Sequence, residues 1–558
     1  MTRSNSFLSM TRRQMLATSG AAIAATQVLR SPALAQAAGR PVVRTAAGDV
    51  AGEAVNGVNR FLGIRYAQPI SGANRFLPPQ PVAPWDGVYE ATRHADISPQ
   101  GGADPTGATP VTPAFANPDY VDAGDDCLAL SVWTPEGADG TLPVMVWLHG
   151  GGWTTGAGSC AIYDGQNLAS RGDVVVVTIN HRLGASGLTD FSRIVGGDYA
   201  GSANLSVQDM LAALEWVNTN IAGFGGNPEL VTIFGESGGG WKVNTMQGVP
   251  AAEGLFHRAI VESGPLTHFY TTDEGDAVAS AMLDALGLNP ETAAEGLANL
   301  THEQVVEAEA VVAQGMGMSA PGFPMGFWPV IDGSLIQGHV FDGTAAPSSL
   351  GVPLLIGQTG TEFSLFMLGD EAAYELDDAG VDQRIGGMMG AEPGAMVLAT
   401  YRADYPDLEP SELYFRIFSD FAMGVLSLVI ADTRVASGAA PTYAYRFDWN
   451  TPIEGDRIYS PHTIEIPFVF DNATTEAGVV MTGGGDEAAA LAATVSEAWV
   501  QFAKTGVPSA PGLPEWPVYT PEGREAMHLD TSAAVAPYMP PELVEGFKTS
   551  LFAQAGRD

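Results

Sequence analysis

The chain has 558 residues, 46% of them hydrophobic, and its 63 acidic residues against 25 basic ones leave a formal charge of −38. So negative a surface argues against nucleic acid or an anionic membrane as partner, because both need positive charge. The length suits two or three average domains or one decorated α/β domain, and the acidity suits plain solubility as well as a salty habitat or cationic substrates.

The N-terminus reads as a processing segment. Thr11-Arg12-Arg13-Gln14-Met15-Leu16 has the form of a twin-arginine export signal, a weakly apolar run covers 15–29, and Ala33-Leu34-Ala35 is a small-residue cleavage site. Residues 1–35 are therefore expected to be a signal peptide and 36–558 one exported domain, periplasmic or secreted. No later stretch reads as the roughly 18 apolar residues a span needs, so membrane insertion is not expected. The two cysteines, Cys127 and Cys160, could form a disulfide in an oxidising compartment or remain buried thiols; the sequence leaves both open.

Residues 40–50 and 59–67 read as an antiparallel section, and 101–117, rich in Gly, Pro, Thr and Ala, as a surface loop. From about 142 the pattern becomes alternating strand and helix. Buried-strand runs lie at 144–148, 174–179, 230–234, 259–262 and 352–356, with an alternating strand at 442–449. Between the second and third, Met210, Leu214, Val217 and Ile221 recur at helical spacing. A mostly parallel sheet covered by helices follows. Helical insertions are expected at about 270–325 and 370–436, where they would wall a crevice at the sheet's C-terminal edge.

Gly235-Glu236-Ser237-Gly238-Gly239 follows the strand run 229–233 and fits G-x-S-x-G, the turn that exposes a nucleophilic serine at a strand end. Upstream, the apolar run 144–148 leads into His149-Gly150-Gly151-Gly152-Trp153, the HGGG segment whose backbone N–H groups form an oxyanion hole in esterases. A serine needs a base, and the base needs an orienting acid, in the chain order Ser, acid, His. Of nine histidines, only His462 and His528 lie beyond every plausible acid. His462 sits in the loop after the strand at 442–449 and is taken as the base, His528 as structural. Glu362, in the loop after 352–356, is the candidate acid; its rival Asp332 lies in an Asp-Gly pair that reads more naturally as a turn.

With these residues in hand, the chain resembles the type-B carboxylesterase family over nearly all of 36–558. Phe61-Leu62-Gly63-Ile64-Arg65-Tyr66-Ala67 is similar to its FxGIPYA block with Arg65 for proline, and Asp125-Asp126-Cys127-Leu128 to its EDCL block. Also similar are HGGGW, the run 221–228 before the elbow, and His462 with Glu465-Ile466-Pro467-Phe468-Val469-Phe470. The resemblance implies an α/β-hydrolase fold, Ser237 as nucleophile, Glu362 as acid, His462 as base, and the N–H groups of Gly151, Gly152 and Gly238 as oxyanion donors.

Four departures stand out. Gly238 replaces the family's usual alanine, Trp241 and Lys242 replace small residues, and Thr361 and Phe363 flank the acid where the family has DEG. Ile97-Ser98-Pro99-Gln100 lacks the cysteine that usually pairs with the EDCL cysteine. Trp241 and Lys242 either shape the acyl pocket or pack the helix start, and Trp153 and Trp241 are candidate substrate contacts. The expected chemistry is hydrolysis of a small-molecule ester through an acyl-enzyme, with no cofactor or metal and no HExxH or His/Cys cluster in the sequence. Alternatives are a lipase, a carbamate or amide hydrolase, and, least favoured, a non-catalytic neuroligin-like binding protein.

Overall fold

The structure is a computed structural model that describes residues 39–101, 109–316 and 326–554; the expected signal segment, residues 102–108 of the 101–117 loop and the end of the first insertion lie outside them. Its strands are β1 (Val42–Arg44), β2 (Asp49–Ala51), β3 (Glu53–Val55), β4 (Val58–Arg65), β5 (Val88–Glu90), β6 (Ala129–Pro135), β7 (Leu142–Leu148), β8 (Val175–Ile179), β9 (Gly226–Glu236), β10 (Arg258–Glu262), β11 (Leu354–Thr359), β12 (Thr442–Phe447), β13 (Glu525–Leu529) and β14 (Ala534–Pro537). Eleven of them form one sheet in the order β14-β13-β12-β11-β10-β9-β7-β8-β6-β4-β3, while β1, β2 and β5 form a small separate sheet.

The run from β8 through β7, β9, β10, β11 and β12 to β13 is parallel. Antiparallel strands close both edges, β6, β4 and β3 on one side and β14 on the other. The expected parallel core is present with every anticipated strand. β6 was not anticipated: its sequence, Ala129-Leu130-Ser131-Val132-Trp133-Thr134-Pro135, alternates too weakly to stand out, although all but its last residue are buried.

The parallel strands are buried on both faces because their residues alternate between two separate cores. Val144, Val146 and Leu148 pack on one face with Met210, Leu214 and Val217 of the helix Leu205–Asn220 and with Ile221 just after it. Met145 and Trp147 point the other way, into a core with Leu491, Val495, Trp499 and Phe502 of the helix Asp486–Thr505. Cys127 lies in the first core and Cys160 in the second, and both are free buried thiols, which settles the disulfide question left open by the sequence.

The helices expected after β10 are Thr272–Ala285, Pro290–Ala298 and His302–Gly315, each opened by a side-chain capping box. The second helical block includes Pro410–Ser419 and Val425–Ala436, joined through a π-helical turn at Asp420–Gly424. Contrary to the reading of the sequence, Pro410–Ala436 is one stretch long and apolar enough to cross a membrane, with mean hydropathy 1.6. Here 83% of its most apolar 18-residue window is buried inside the protein, as in a core helix. Its polar residues explain why it escaped notice: Asp420 is buried in a 2.7 Å ion pair with Arg446, and Arg434 donates to the Val352 carbonyl at 2.5 Å.

Candidate active site

The parallel strands end together, and the loops at their C-terminal ends converge. Ser237 stands between the end of β9 and the helix Gly238–Gln247 with φ 56° and ψ −121°, a left-handed φ that a non-glycine residue seldom adopts. The turn is held because the Ser237 N–H donates to the Glu262 carbonyl at 2.8 Å, and its own carbonyl accepts from the Trp241 N–H at 3.1 Å. Neighbouring backbone presses closely: a Cβ on Gly238 would lie 2.3 Å from the Gly152 carbonyl oxygen and 2.4 Å from its nitrogen. The elbow and the glycine loop therefore touch backbone to backbone, which only glycine permits.

The glycine loop follows β7. Gly151 and Gly152 have φ of 82° and 62°. The Gly151 carbonyl accepts from the N–H groups of Thr154 and Thr155 at 3.3 and 3.0 Å and from the Thr155 hydroxyl at 3.1 Å. Among the described residues no acceptor takes the N–H of Gly151, Gly152 or Gly238. A Cβ built on Gly150 would lie 3.7 Å from the Ser237 Cβ, so the loop borders the serine directly.

Glu362 and His462 meet on the opposite side. Glu362 is fully buried in the turn after β11; its Oε1 accepts the Thr359 N–H at 2.8 Å and its Oε2 accepts from His462 Nδ1–H at 2.5 Å. The loops carrying them are stitched together by Thr361 N–H to the Ser460 carbonyl at 2.9 Å and Ser460 N–H to the Thr361 hydroxyl at 3.0 Å. Thr361, a departure from the usual residue before the acid, thus aligns the two loops. Asp332, the rival acid, is occupied elsewhere: its Oδ1 accepts the N–H groups of Ser334, Leu335 and Ile336 at 2.7, 2.8 and 3.1 Å, closing a turn. His528 binds Asp448 at 2.7 Å on β13, in keeping with its structural reading.

On its other side, His462 Nε2 lies 3.2 Å from Glu236 Oε1, the residue just before Ser237. The orientation is not that of a hydrogen bond, and that oxygen is buried without a donor. Burial, then the charges of Glu362 and Glu262, pushes the Glu236 carboxyl well above the usual range. Burial pushes Glu262 up to about 8, tempered by the Trp499 indole N–H that donates to it at 2.8 Å. Glu465, which accepts from the Ser263 hydroxyl at 2.7 Å, is likewise raised by burial and by Glu236. The sequence reading missed this buried carboxyl group; the residues are adjacent to motif positions, but nothing local marks them as interior.

Aromatic rings border both sides. Trp241, half-buried, packs on Trp328 with centroids 4.9 Å apart, and Trp328 meets Trp153 at 6.4 Å. Phe366 lies 4.8 Å from the His462 ring and is 39% exposed. Neither Trp328 nor Phe366 was singled out from the sequence, since a lone aromatic in a loop carries no signal. Lys242, next to Trp241 in the helix, is wholly buried. Among the described residues, potential metal ligands the sequence did not reveal, His268, His339 and Asp342, have their ligand atoms within 4.8 Å of one another, and the His268 carbonyl accepts from the Trp328 indole N–H at 3.1 Å. There the His339 Nδ1 lone pair already accepts the Phe269 N–H at 3.2 Å.

Residues 39–543 match the sequence profile of the carboxylesterase family. The chain is 34% identical over 498 residues to the para-nitrobenzyl esterase of Bacillus subtilis, covering 88% of this chain and 96% of that protein. It is 30% identical over 487 residues to the phenmedipham hydrolase of Pseudarthrobacter oxydans, covering 86% and 93%. Among solved structures, a PNB esterase superposes with a TM-score of 0.75 at 32% identity, covering 92% of this chain and 99% of that one. An esterase from Clostridium hathewayi, described as able to hydrolyse aliphatic aromatic polyesters, gives a TM-score of 0.77 at 31% identity over 91% and 98%. The large mixed sheet is thus that of the α/β-hydrolase fold. The chain belongs to the carboxylesterase family and is a carboxylic ester hydrolase.

Proposed function

We propose that the ester is cleaved by Ser237, with His462 as base and Glu362 as the acid that orients it. The observation that carries this reading is the 2.5 Å contact between Glu362 and His462 Nδ1 beside a serine held at positive φ. A carboxylate on Nδ1–H fixes the tautomer that leaves the Nε2 lone pair free to take a proton. His462 takes the Ser237 proton as Oγ attacks the ester carbonyl carbon. The oxyanion accepts the N–H groups of Gly151, Gly152 and Gly238. The C–O bond then breaks, and the alcohol leaves with the proton from His462. Water repeats the sequence on the acyl-enzyme and releases the acid.

The leaving oxygen must sit near His462 to receive its proton, so the alcohol portion lies on the Phe366 side. The acyl portion lies toward Trp153 and Trp241, on the side of the glycine loop. The substrates we propose are small esters, a reading supported by the para-nitrobenzyl esterase among its relatives. We also propose that residues 1–35 direct export through the twin-arginine route. N-terminal sequencing of the exported protein should start near Gln36, and a chain retained intact inside the cell would overturn that.

Hydrolysis of p-nitrophenyl acetate, butyrate and palmitate by the wild type and by Ser237→Ala tests the assignment. Loss of Ser237 should lower turnover of the short esters by about 10⁴–10⁶. Comparable turnover by the variant would reject Ser237 as nucleophile, and a preference for palmitate would move the enzyme to the lipases.

A further inference from the structure

Three successive carbonyls of the glycine loop are each pinned from behind. The His149 carbonyl accepts from Lys242 Nζ at 2.7 Å, and the Gly150 carbonyl accepts from His149 Nδ1–H at 2.9 Å. The Gly151 carbonyl accepts from Thr154 and Thr155, at 3.0 Å from the latter's N–H. In a planar trans peptide the N–H points opposite to the C=O of the preceding residue. Pinning these three oxygens therefore turns the N–H groups of Gly150, Gly151 and Gly152 to the other side, where those of Gly151 and Gly152 remain without an acceptor among the described residues.

Two of these pins are local. The Thr154 and Thr155 bonds close a turn with its own carbonyl, and His149 bonds the residue next to it. Lys242 is different: it reaches from the helix Gly238–Gln247 across 93 residues of sequence to the start of the loop. It is 0% exposed, burial pushes its amine well below the ordinary lysine range, and no carboxylate forms an ion pair with it among the described residues. The Trp153 ring lies nearby, with Nζ 5.7 Å from the centroid, and the His149 and His181 rings are close enough to interact with the amine. The His149 ring that makes the second pin is stacked on His181, centroids 4.9 Å apart and planes within 9°. Burying an amine for one carbonyl is expensive unless the bond does something packing cannot.

We propose that Lys242 is a positioning residue for ester hydrolysis: by holding the His149 carbonyl it fixes the first peptide plane of the glycine loop, from which the following peptides, with the Gly151 and Gly152 N–H groups aimed at the oxyanion, take their course. Because Lys242 sits five residues after Ser237 on the helix the elbow begins, the same element carries the nucleophile and the pin for its oxyanion loop. The inference rests on the assignment of Ser237 and the glycine N–H groups proposed above.

The test uses Lys242→Met, which keeps all but the last atom of the side chain's length and removes the donor, with p-nitrophenyl acetate as substrate. 2,2,2-Trifluoroacetophenone serves as probe: Ser237 Oγ adds to its carbonyl carbon, His462 takes the proton, and the resulting oxyanion sits where the ester's would. Lys242→Met should lose about 10²-fold in kcat, the size of a lost oxyanion donor, and lose ketone affinity in proportion. KM should move by less than about threefold, because ground-state binding does not use the pin. Lys242→Ala should lose as much, and added n-propylamine should restore at least part of kcat; this variant and its rescue also carry the test where Lys242→Met is not recovered folded. A folded Lys242→Met with wild-type kcat and ketone affinity, or a Lys242→Ala whose loss propylamine leaves untouched, would overturn the proposal. Ser237→Ala runs alongside: if it retains turnover, the underlying site assignment is what falls.

Discussion

On one side of Ser237 the site is backbone: the N–H groups of Gly151, Gly152 and Gly238, brought so close that a single Cβ at Gly238 would collide with Gly152. On the other side it is buried side chains, with His462 amid Glu236, Glu262, Glu362 and Glu465, every one of them at most 3% exposed. The first side stores its function in geometry and carries no titrating group of its own. The second stores it in charge, gathering four carboxyls where burial already raises three of them. Oxyanion stabilisation needs fixed dipoles that do not reorganise, whereas proton transfer needs a base whose partner is chosen among competing acids. The two halves should therefore fail differently when altered.

The largest effect should come from the charged side. Glu362→Gln keeps the shape of the side chain and its contact with the Thr359 N–H, but offers His462 Nδ1 an amide in place of a carboxylate. Turnover of p-nitrophenyl acetate should fall by about 10³–10⁴ with KM little changed, as when the carboxylate of a triad is made an amide. If the Glu236 carboxyl near Nε2 were instead the orienting acid, Glu362→Gln would be nearly silent, and steady-state kinetics separates the two.

The backbone side gives a smaller and less intuitive effect. The family resemblance makes alanine the usual residue after the nucleophile, so Gly238→Ala looks like a return to type. In this protein the added methyl would meet the Gly152 carbonyl oxygen at 2.3 Å, and backbone cannot move aside as a flexible side chain can. The loop must shift, and kcat should drop by about 10²–10³, the scale of losing one oxyanion donor. Affinity for 2,2,2-trifluoroacetophenone should fall with it. Unchanged kinetics would show that the glycine loop is softer than its packing suggests.

The same contrast explains what could be read from the chain. The backbone side is encoded in contiguous residues, HGGGW and GESGG, because glycine is demanded where the chain itself turns or touches, so it was legible as motif. The Glu362–His462 pair proposed as acid and base was suggested by chain order and strand position, since each loop follows a recognisable strand. The carboxyls at 236, 262 and 465, the Trp328 stack and the Lys242 pin were not. Each depends on which buried face a residue meets after folding, and Lys242 in sequence is only a charge after a small-residue run. Strand β6 and the apolar helix through Asp420 were obscured for a related reason: their polar residues are satisfied by distant partners, Asp420 by Arg446 and Tyr401.

The smallest effect is thermodynamic, and it isolates the charged side from catalysis. Among the described residues Glu262 makes no hydrogen bond or ion pair with His462; it lies at the end of β10 and accepts from Trp499, and burial pushes it up to about 8 from an ordinary 4.5. A carboxyl whose pKa is higher folded than unfolded binds more protons in the folded state. Its contribution is complete below about 4.5 and is lost as pH rises through about 8. Glu262→Gln cannot ionise and keeps an oxygen for the Trp499 N–H. The variant should melt near the wild type at pH 5 and above it at pH 8, the gap widening by about 2–4 °C. Melting followed by circular dichroism at both pH values decides it, with kcat as the companion measurement. A gap that stays constant with pH would mean the carboxyl shares its burden with Glu236 and Glu465, so that no single member of the group titrates alone.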